Sequence, residues 1–382
     1  MAHKIKNIEK AAERIRKAVA NNERIILYGD SDFDGISSVV LLEEAIKNIG
    51  GHIDSAFFPD REVDGYGINL NMLKSLKDKA PALFITADLG IGNVKEVDVA
   101  NQMGFEVIIV DHHETLDGIP NASIIVDMKQ PSDPYPFKGL ANVGVTYNLC
   151  LEIIGKNISE SLKNSFLELA ALGTIADMVP QIDQNQEIIE QGLRSLKNTF
   201  RPAIRAFLDI LGQGQVFEGA LGKIISAINS AESVNFKSQS YLLLKSADTK
   251  ECKKIAQGLL DKNLEKQQQI KNIILDIENR ILKKPDSSII FEGDPSWKLI
   301  LAGPAASILC NKYEKPAFIF KKMDAESAGS VRNPKGTNSV DAMKTCADFL
   351  LTFGGHANAS GFRVKNEDLD KFKERLIEYF KK

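Results

Sequence analysis

The stretch GDSDFDG, residues 29–35, sets Asp30, Asp32 and Asp34 at alternate positions and closes on a glycine. Carboxylates so spaced bind cations, and two arrangements are open. A calcium loop of the D-x-D-x-D-G type carries a glutamate at its twelfth position, and counted from Asp30 that position is Leu41. The preceding IILY is also patterned as a strand, so the calcium reading fails on both counts. In an extended chain alternate side chains share one side, which lets Asp32 and Asp34 converge as the chain leaves a strand.

Two more apolar runs end in the same chemistry. TADLG brings Asp88 to a second strand end, and VDHHE brings Asp111, His112 and His113 to a third. Open α/β sheets hold their ligands outside the carboxyl ends of the strands. Any one of these residues alone would serve as a helix cap, a solvated turn or a structural histidine. Crowded together, the carboxylates would repel and raise each other's pKa, so a cation is their natural neutraliser. Oxygen ligands with an imidazole suit manganese or magnesium. A fourth stretch, ALGTIADMVP, places Asp177 in an apolar helical run, where a buried carboxylate needs a partner. Pro180 weighs against a cap for a following helix, so Asp177 is expected as a further metal ligand.

Residues 24–185 supply the elements that must position this set. RIILY, PALFITADLG, EVIIVDHH and ASIIVD alternate with helical patterns, which predicts a doubly wound parallel α/β sheet. From about residue 150 the pattern turns helical, in NLCLEIIG, FLELAALGTIADM and EIIEQGLRSLKN. Residues 249–284 read as one long polar helix with apolar positions at helical spacing, ended by Pro285. Beyond it, SSIIFE, KLILAG, PAFIFKK and FRVK are expected as strands around two short helical stretches. The organisation expected is a catalytic domain with a helical extension at 1–248, a connecting helix at 249–285 and a smaller α/β domain at 286–382.

The composition fits this reading. A chain of 382 residues, 43% hydrophobic and 26% charged, is long enough for two globular domains. Its net charge of −3 gives no global attraction to polyanions, so a nucleic acid would have to meet a local basic surface. Cys150, Cys252, Cys310 and Cys346 form no CxxC pair, which disfavours a zinc knuckle or a disulfide framework and fits a reducing cytoplasm. The opening MAHKIKNIEKAAERIRKAVA reads as an amphipathic helix and not a signal peptide, and no apolar run is long enough to span a membrane.

Taken in order, GDSDFDG, PDREVDGYGI, TADLGIGN, VDHHE, PFKGLANVGV, ALGTIADMVP, GSVRN and FGGHANASGF resemble the DHH phosphoesterase superfamily, and within it the RecJ-like single-strand exonucleases. The resemblance implies a two-metal phosphoesterase using Mn²⁺ or Mg²⁺, with a smaller DHH-associated domain that grips the substrate. Carried over residue by residue, Asp32 binds the first metal, Asp34 the second, and Asp88 bridges them. His112 and Asp177 complete the second site, His113 faces the scissile phosphate and Asp111 orients the histidine pair. In the C-terminal domain Ser330 and Arg332 of GSVRN, and Gly354, Gly355 and His356 of the glycine-rich stretch, match positions that meet substrate, and Gly361 suits close approach of an anion.

Three departures from the family pattern stand out. Tyr28 stands where many relatives carry a histidine, which leaves Asp30 as a further ligand candidate. AINSAES, residues 227–233, keeps Asn229 at a substrate position but has Ser233 in place of an arginine. The chain stops soon after GGHANASGF, without the OB-fold many bacterial RecJ proteins append, so a reduced grip on long DNA is expected. The function expected is removal of mononucleotides from single-stranded DNA or RNA from the 5′ end, with replication or repair proteins as partners and no membrane. The competing readings are a phosphodiesterase of short oligonucleotides or cyclic dinucleotides, and a catalytically silent replication or repair scaffold.

Overall fold

A computed structural model describes residues 4–61, 63–115, 118–131, 133–212, 217–282 and 287–381. Two compact units divide the chain, Met1–Asn263 and Leu264–Lys382. The first is built on a parallel five-stranded sheet in the order β2-β1-β3-β4-β5, from β1 (Ile25–Gly29), β2 (Ser55–Phe57), β3 (Ala82–Ala87), β4 (Phe105–Val110) and β5 (Ile124–Val126). A parallel sheet is covered on both faces, which is why these strands are apolar almost throughout. The two-residue period divides them cleanly. Ile25, Leu27, Leu83, Ile85, Ile108 and Val110 enter one core, while Ile26, Tyr28, Phe84, Val107 and Ile109 enter the other.

The larger core is closed by α1 (Ile8–Ala20), α2 (Phe33–Asn48), α5 (Asn142–Ile154) and α6 (Glu160–Ala176); the smaller by α3 (Leu70–Ser75) and α4 (Val94–Gln102). Helix α7 (Asp183–Leu196) lies against α6, and α8 (Pro202–Leu211), α9 (Phe217–Ile228) and α10 (Gln239–Lys245) extend the helical layer. Between α9 and α10 runs a short ribbon of β6 (Ser233–Val234) and β7 (Lys237–Ser238). The strand order reverses between β1 and β3, and that crevice is the place where an open α/β sheet holds its ligand.

Helix α11 (Thr249–Ile281) runs 33 residues. Cys252, Ala256 and Leu259 sit in the core of the first unit, and Ile270, Ile273 and Ile277 in a core of the second. The second unit holds a five-stranded mixed sheet ordered β11-β12-β10-β9-β8, from β8 (Ile290–Asp294), β9 (Ala317–Lys322), β10 (Glu326–Arg332), β11 (Leu350–His356) and β12 (Ala359–Lys365). Helices α12 (Leu299–Tyr313), α13 (Ser339–Lys344) and α14 (Leu369–Phe380) complete it.

KLILAG is a correction to the sequence reading: it opens α12 and is no strand. Leu301, Ala302, Ala305, Ala306 and Leu309 are buried, a spacing of helical period that a six-residue apolar run does not reveal. Pro304, which argues for a break, lies inside the helix. The helices of this unit also number more, and run longer, than two short stretches.

The helix that carries Asp177 at its end is placed by a glycine. At Gly192 of α7 a Cβ would sit 2.2 Å from the Leu167 carbonyl oxygen and 2.5 Å from the Ala171 Cβ, both on α6. We therefore expect Gly192→Ala to cost about 1–3 kcal/mol by forcing α6 and α7 apart. Urea unfolding of the variant measures this, and an unchanged midpoint would contradict the close approach.

Candidate metal centre

The acidic residues reach the centre from the ends of several elements. Asp32 caps α2, its Oδ1 accepting from Gly35 N at 3.0 Å, so it is both a helix cap and a member of the cluster. Gly35 is required there, because a Cβ would lie 2.5 Å from the Asp30 carbonyl oxygen. Asp34, in the first turn of α2, accepts from the backbone N–H groups of Asn142 at 2.8 Å and Val143 at 2.7 Å. These are free donors at the start of α5, whose positive dipole end faces the carboxylate. Asp88 follows β3 with a left-handed φ of 64°, a conformation that aspartate adopts more readily than most side chains. Asp177 forms the C-cap of α6.

The two histidines are oriented differently. The Leu140 carbonyl can only accept, so the 2.9 Å contact to His112 Nδ1 puts the proton on Nδ1 and leaves Nε2 a lone pair. That lone pair looks at Asp88 Oδ1 at 3.3 Å, Asp177 Oδ2 at 3.8 Å and Asp34 Oδ2 at 3.9 Å. Burial and the neighbouring His113 hold the His112 pKa down at about 3, so the ring is neutral. His113 donates from Nδ1 to Asp111 Oδ1 at 2.7 Å; burial lowers its pKa, but that bond together with the charges of Asp111 and the neighbouring carboxylates raises it overall. Asp111 also accepts from the backbone of His112, His113 and Ile91. Every contact it makes orients the turn that bears the two rings.

Three sets of ligand atoms lie within 4.8 Å of one another: Asp88, His112 and His113; Asp34, His112 and Asp177; and Asp30, Asp32 and Asp88. Asp88 Oδ1, His112 Nε2 and Asp177 Oδ2 are buried without a hydrogen-bond partner. Each such atom costs about 1–3 kcal/mol, and more when charged. Burial, and then the neighbouring carboxylates, push Asp34 and Asp88 well above the usual carboxylate range, and Asp177 up to about 7. The lone pair faces these three carboxyl groups across 3–4 Å and is hydrogen-bonded to none of them. A divalent cation among them satisfies all four groups, so the donor set fits the metal its sequence implies.

The structure adds residues to which the sequence assigned no role. Arg61 donates from Nε to Asp30 Oδ1 at 2.9 Å and from Nη2 to both Asp30 Oδ2 and, at 3.0 Å, Asp32 Oδ2. The Tyr66 hydroxyl lies 3.3 Å from His113 Nδ1 and 3.2 Å from the Asp88 carbonyl oxygen. Both sit on PDREVDGYGI, a loop whose contacts span the chain and leave no periodic trace. Tyr28 does not point at the cluster. Its buried hydroxyl donates to Gly67 O at 3.3 Å and accepts from Asn69 N at 3.1 Å, bracing the end of the same loop.

Asn229 Oδ1 accepts from Phe33 N at 2.8 Å and so braces the loop bearing Asp32 and Asp34. In the second unit Ser330 pairs with Gly361 and Gly361 with Gly354, so the three lie abreast on neighbouring strands. Gly355 has a φ of 125° at the hairpin, which a side chain would resist. Arg332 is half-buried, its pKa lowered by desolvation, and among the described residues no carboxylate pairs with it. A Cβ on Gly303 would come within 3.3 Å of Arg332 Nη2 and 3.5 Å of Ser330 Oγ, so that glycine leaves both side chains room. The side chain of His356 lies outside the described residues.

The raised carboxyl pKa values have a consequence for stability. A native state that holds protons on Asp34, Asp88 and Asp177 above pH ~4, where the unfolded chain has released them, loses stability as pH rises, in the case of Asp177 through about 7. In chelator the protein is therefore expected to melt lower at pH ~8 than at pH ~5.5, with Asp177→Asn flattening the slope and Mn²⁺ reversing it. Thermal melts at the two pH values check this; a slope identical in the variant and with Mn²⁺ would count against the cluster.

Residues 24–174 match the DHH family, N-terminal domain, and residues 286–382 match the DHHA1 domain. The single-stranded-DNA-specific exonuclease RecJ of Bacillus subtilis is 33% identical over 381 residues, covering 98% of this chain and 48% of that protein. The RecJ of Dickeya dadantii is 29% identical, covering 97% and 69%. The chain thus spans about half the length of the first of these curated relatives. Among solved structures, exonuclease RecJ bound to manganese superposes with a TM-score of 0.81 at 24% identity, covering 99% of this chain and 95% of that one. RecJ of Thermus thermophilus in complex with Mn²⁺ gives 0.85 at 23% identity, covering 100% and 55%. With both domains in order, the chain carries a DHH family N-terminal domain and a DHHA1 domain and is similar to RecJ exonucleases along nearly its whole length.

Proposed function

We propose that the chain is a divalent-metal-dependent exonuclease that removes mononucleotides from single-stranded DNA or RNA, starting at the 5′ end. It would work in the cytoplasm beside proteins of replication and repair. The observation that carries the reading is the His112 Nε2 lone pair enclosed by Asp34, Asp88 and Asp177 without a hydrogen-bond partner. The relatives named single-stranded-DNA-specific exonucleases support the substrate class.

In this reading Asp32, with Asp30 beside it, would hold one ion; Asp34, His112 and Asp177 would hold the other; Asp88 would serve both. When bound, such a pair supplies charge for the phosphoryl oxygens and lowers the pKa of a water enough for attack near neutral pH. The chain's own groups do the rest. Asp111 fixes the His113 ring and favours its protonated form, which can donate to a phosphate oxygen as negative charge builds. The Tyr66 hydroxyl lies against the same ring, 3.4 Å from Nε2. The α5 N-terminus holds Asp34 rigid, so the carboxylate does not swing when charge at the centre changes. In the second unit Arg332, Ser330 and the glycine lane of Gly354 and Gly361 would receive a backbone phosphate, as a desolvated guanidinium without an acid partner is suited to do.

The test uses end-labelled single strands of ~20 nucleotides with Mn²⁺, beside the matching duplex and a dinucleotide. The expected result is mononucleotide release from the 5′ label on single strands, lowered at least a hundredfold or so by Asp88→Asn. Equal rates from variant and wild type would reject the reading. A rate indifferent to length would move the substrate to very short oligonucleotides.

A further inference from the structure

The two halves of the acidic cluster are not neutralised alike. Around Asp34, His112 and Asp177, among the described residues, no lysine or arginine pairs with a carboxylate, and His112 Nε2 and Asp177 Oδ2 stand unpartnered. Around Asp30 and Asp32 the opposite holds. Arg61 forks onto Asp30 through Nε and Nη2 and reaches Asp32 with the same Nη2. Resting on the metal-centre reading above, we propose that Arg61 is the resident counter-cation of the Asp30/Asp32 half. It holds the place of a divalent ion until one displaces it, so the two positions fill in order, the His112 half first.

Geometry sets the two cations in competition. An oxygen-bound divalent ion sits about 2.0–2.2 Å from its carboxylate oxygens if it is Mg²⁺ or similar. With the Arg61 nitrogen 3.0 Å from Asp32 Oδ2, an ion on the same oxygen would stand only about 4–5 Å from a fixed positive charge, a repulsion that weakens its binding. A guanidinium does not deprotonate, so the competition cannot be relieved by losing a proton. It can be relieved by motion. The Arg61 side chain is 42% exposed, and its guanidinium already lies 5.7 Å from the Tyr66 ring centroid, which offers a second resting place. The loop itself need not move: Asp60 and Asp64 brace it by backbone bonds of their own, Asp60 N donating to Asp64 Oδ2 at 2.8 Å.

The hydrogen bonds divide the cluster in the same way. Arg61 donates to both Asp30 and Asp32, and Gly35 N donates to Asp32, whereas His112 Nε2 and Asp177 Oδ2 have no partner. The Asp30/Asp32 half is thus satisfied by the chain itself. The other half is not, and gains more from the first ion.

Mn²⁺ binding to the full chain, counted by calorimetry and by the free-ion EPR signal, tests this without reference to turnover. Wild type is expected to show one tight and one weak class. In Arg61→Gln the weak class should tighten about tenfold or more, since the competitor for its oxygens is gone, while the tight class stays within about twofold. Arg61→Lys, which keeps the charge but loses the fork, should fall between them and carries the test if the glutamine variant does not fold. A weak class unchanged or weakened in both variants would overturn the proposal. Should wild type bind ions that Asp88→Asn abolishes, while Arg61→Gln binds as wild type does, the Arg61 inference alone fails. If wild type binds no Mn²⁺ even at millimolar concentration, it falls together with the metal centre.

Discussion

An imidazole lone pair held against three carboxylates is the constraint on which the first unit depends. Left to side chains alone the arrangement is unfavourable, because Nδ1 of His112 is committed to the Leu140 carbonyl and Nε2 has no proton to share. It persists because the fold around it is over-determined. The two faces of the parallel sheet are closed by separate cores, and the loops that carry the acids are short extensions of buried strands. Stability gained by burial is spent at one edge, where the strand order reverses, and the site is assembled there from the ends of β1, β3 and β4 and the end of α6.

Small backbone devices translate that tension into fixed geometry. Asp88 holds a left-handed φ, Gly35 admits the Asp30 carbonyl to a distance no side chain would allow, and the free N–H groups of α5 grip Asp34. Asn229, distant in sequence, braces the backbone of Phe33. The outcome is a carboxylate set that cannot spread apart to lower its own repulsion, so a cation is bound by groups already in place. Preorganisation of this kind lowers the reorganisation needed when charge changes at the centre.

The sequence reveals the strand ends well for a physical reason. A buried parallel strand is a continuous apolar run, so an aspartate or histidine directly after it is conspicuous, and Asp32, Asp34, Asp88, Asp111, His112 and His113 all stand in such places. Asp177 is legible by contrast, an acid ending the apolar helix α6. Arg61 and Tyr66 are not, because their role depends on which distant carboxylate a polar loop folds onto, and nothing periodic records that. The Asn142 and Val143 contacts are invisible for another reason: they are made by backbone N–H groups, which every residue but proline possesses. KLILAG misleads because so short an apolar run fits a strand and a buried helix equally well, and only the later spacing through Leu309 decides between them.

The second unit poses the complementary electrostatic problem. A chain with a net charge of −3, whose first unit gathers acids at one edge, has no long-range attraction to offer a polyanion. Recognition must then come from a few cations placed at short range. Arg332 has the required properties, since desolvation without an acid partner raises the free energy of its charged form and a phosphate would restore what burial removes. Its neighbours suit close approach: Ser330 shares the strand, Gly303 leaves both side chains room, and Gly361 and Gly354 lie abreast of Ser330 without side chains. A surface built on one desolvated guanidinium and bare backbone is suited to a phosphate group and offers little that would distinguish one base from another.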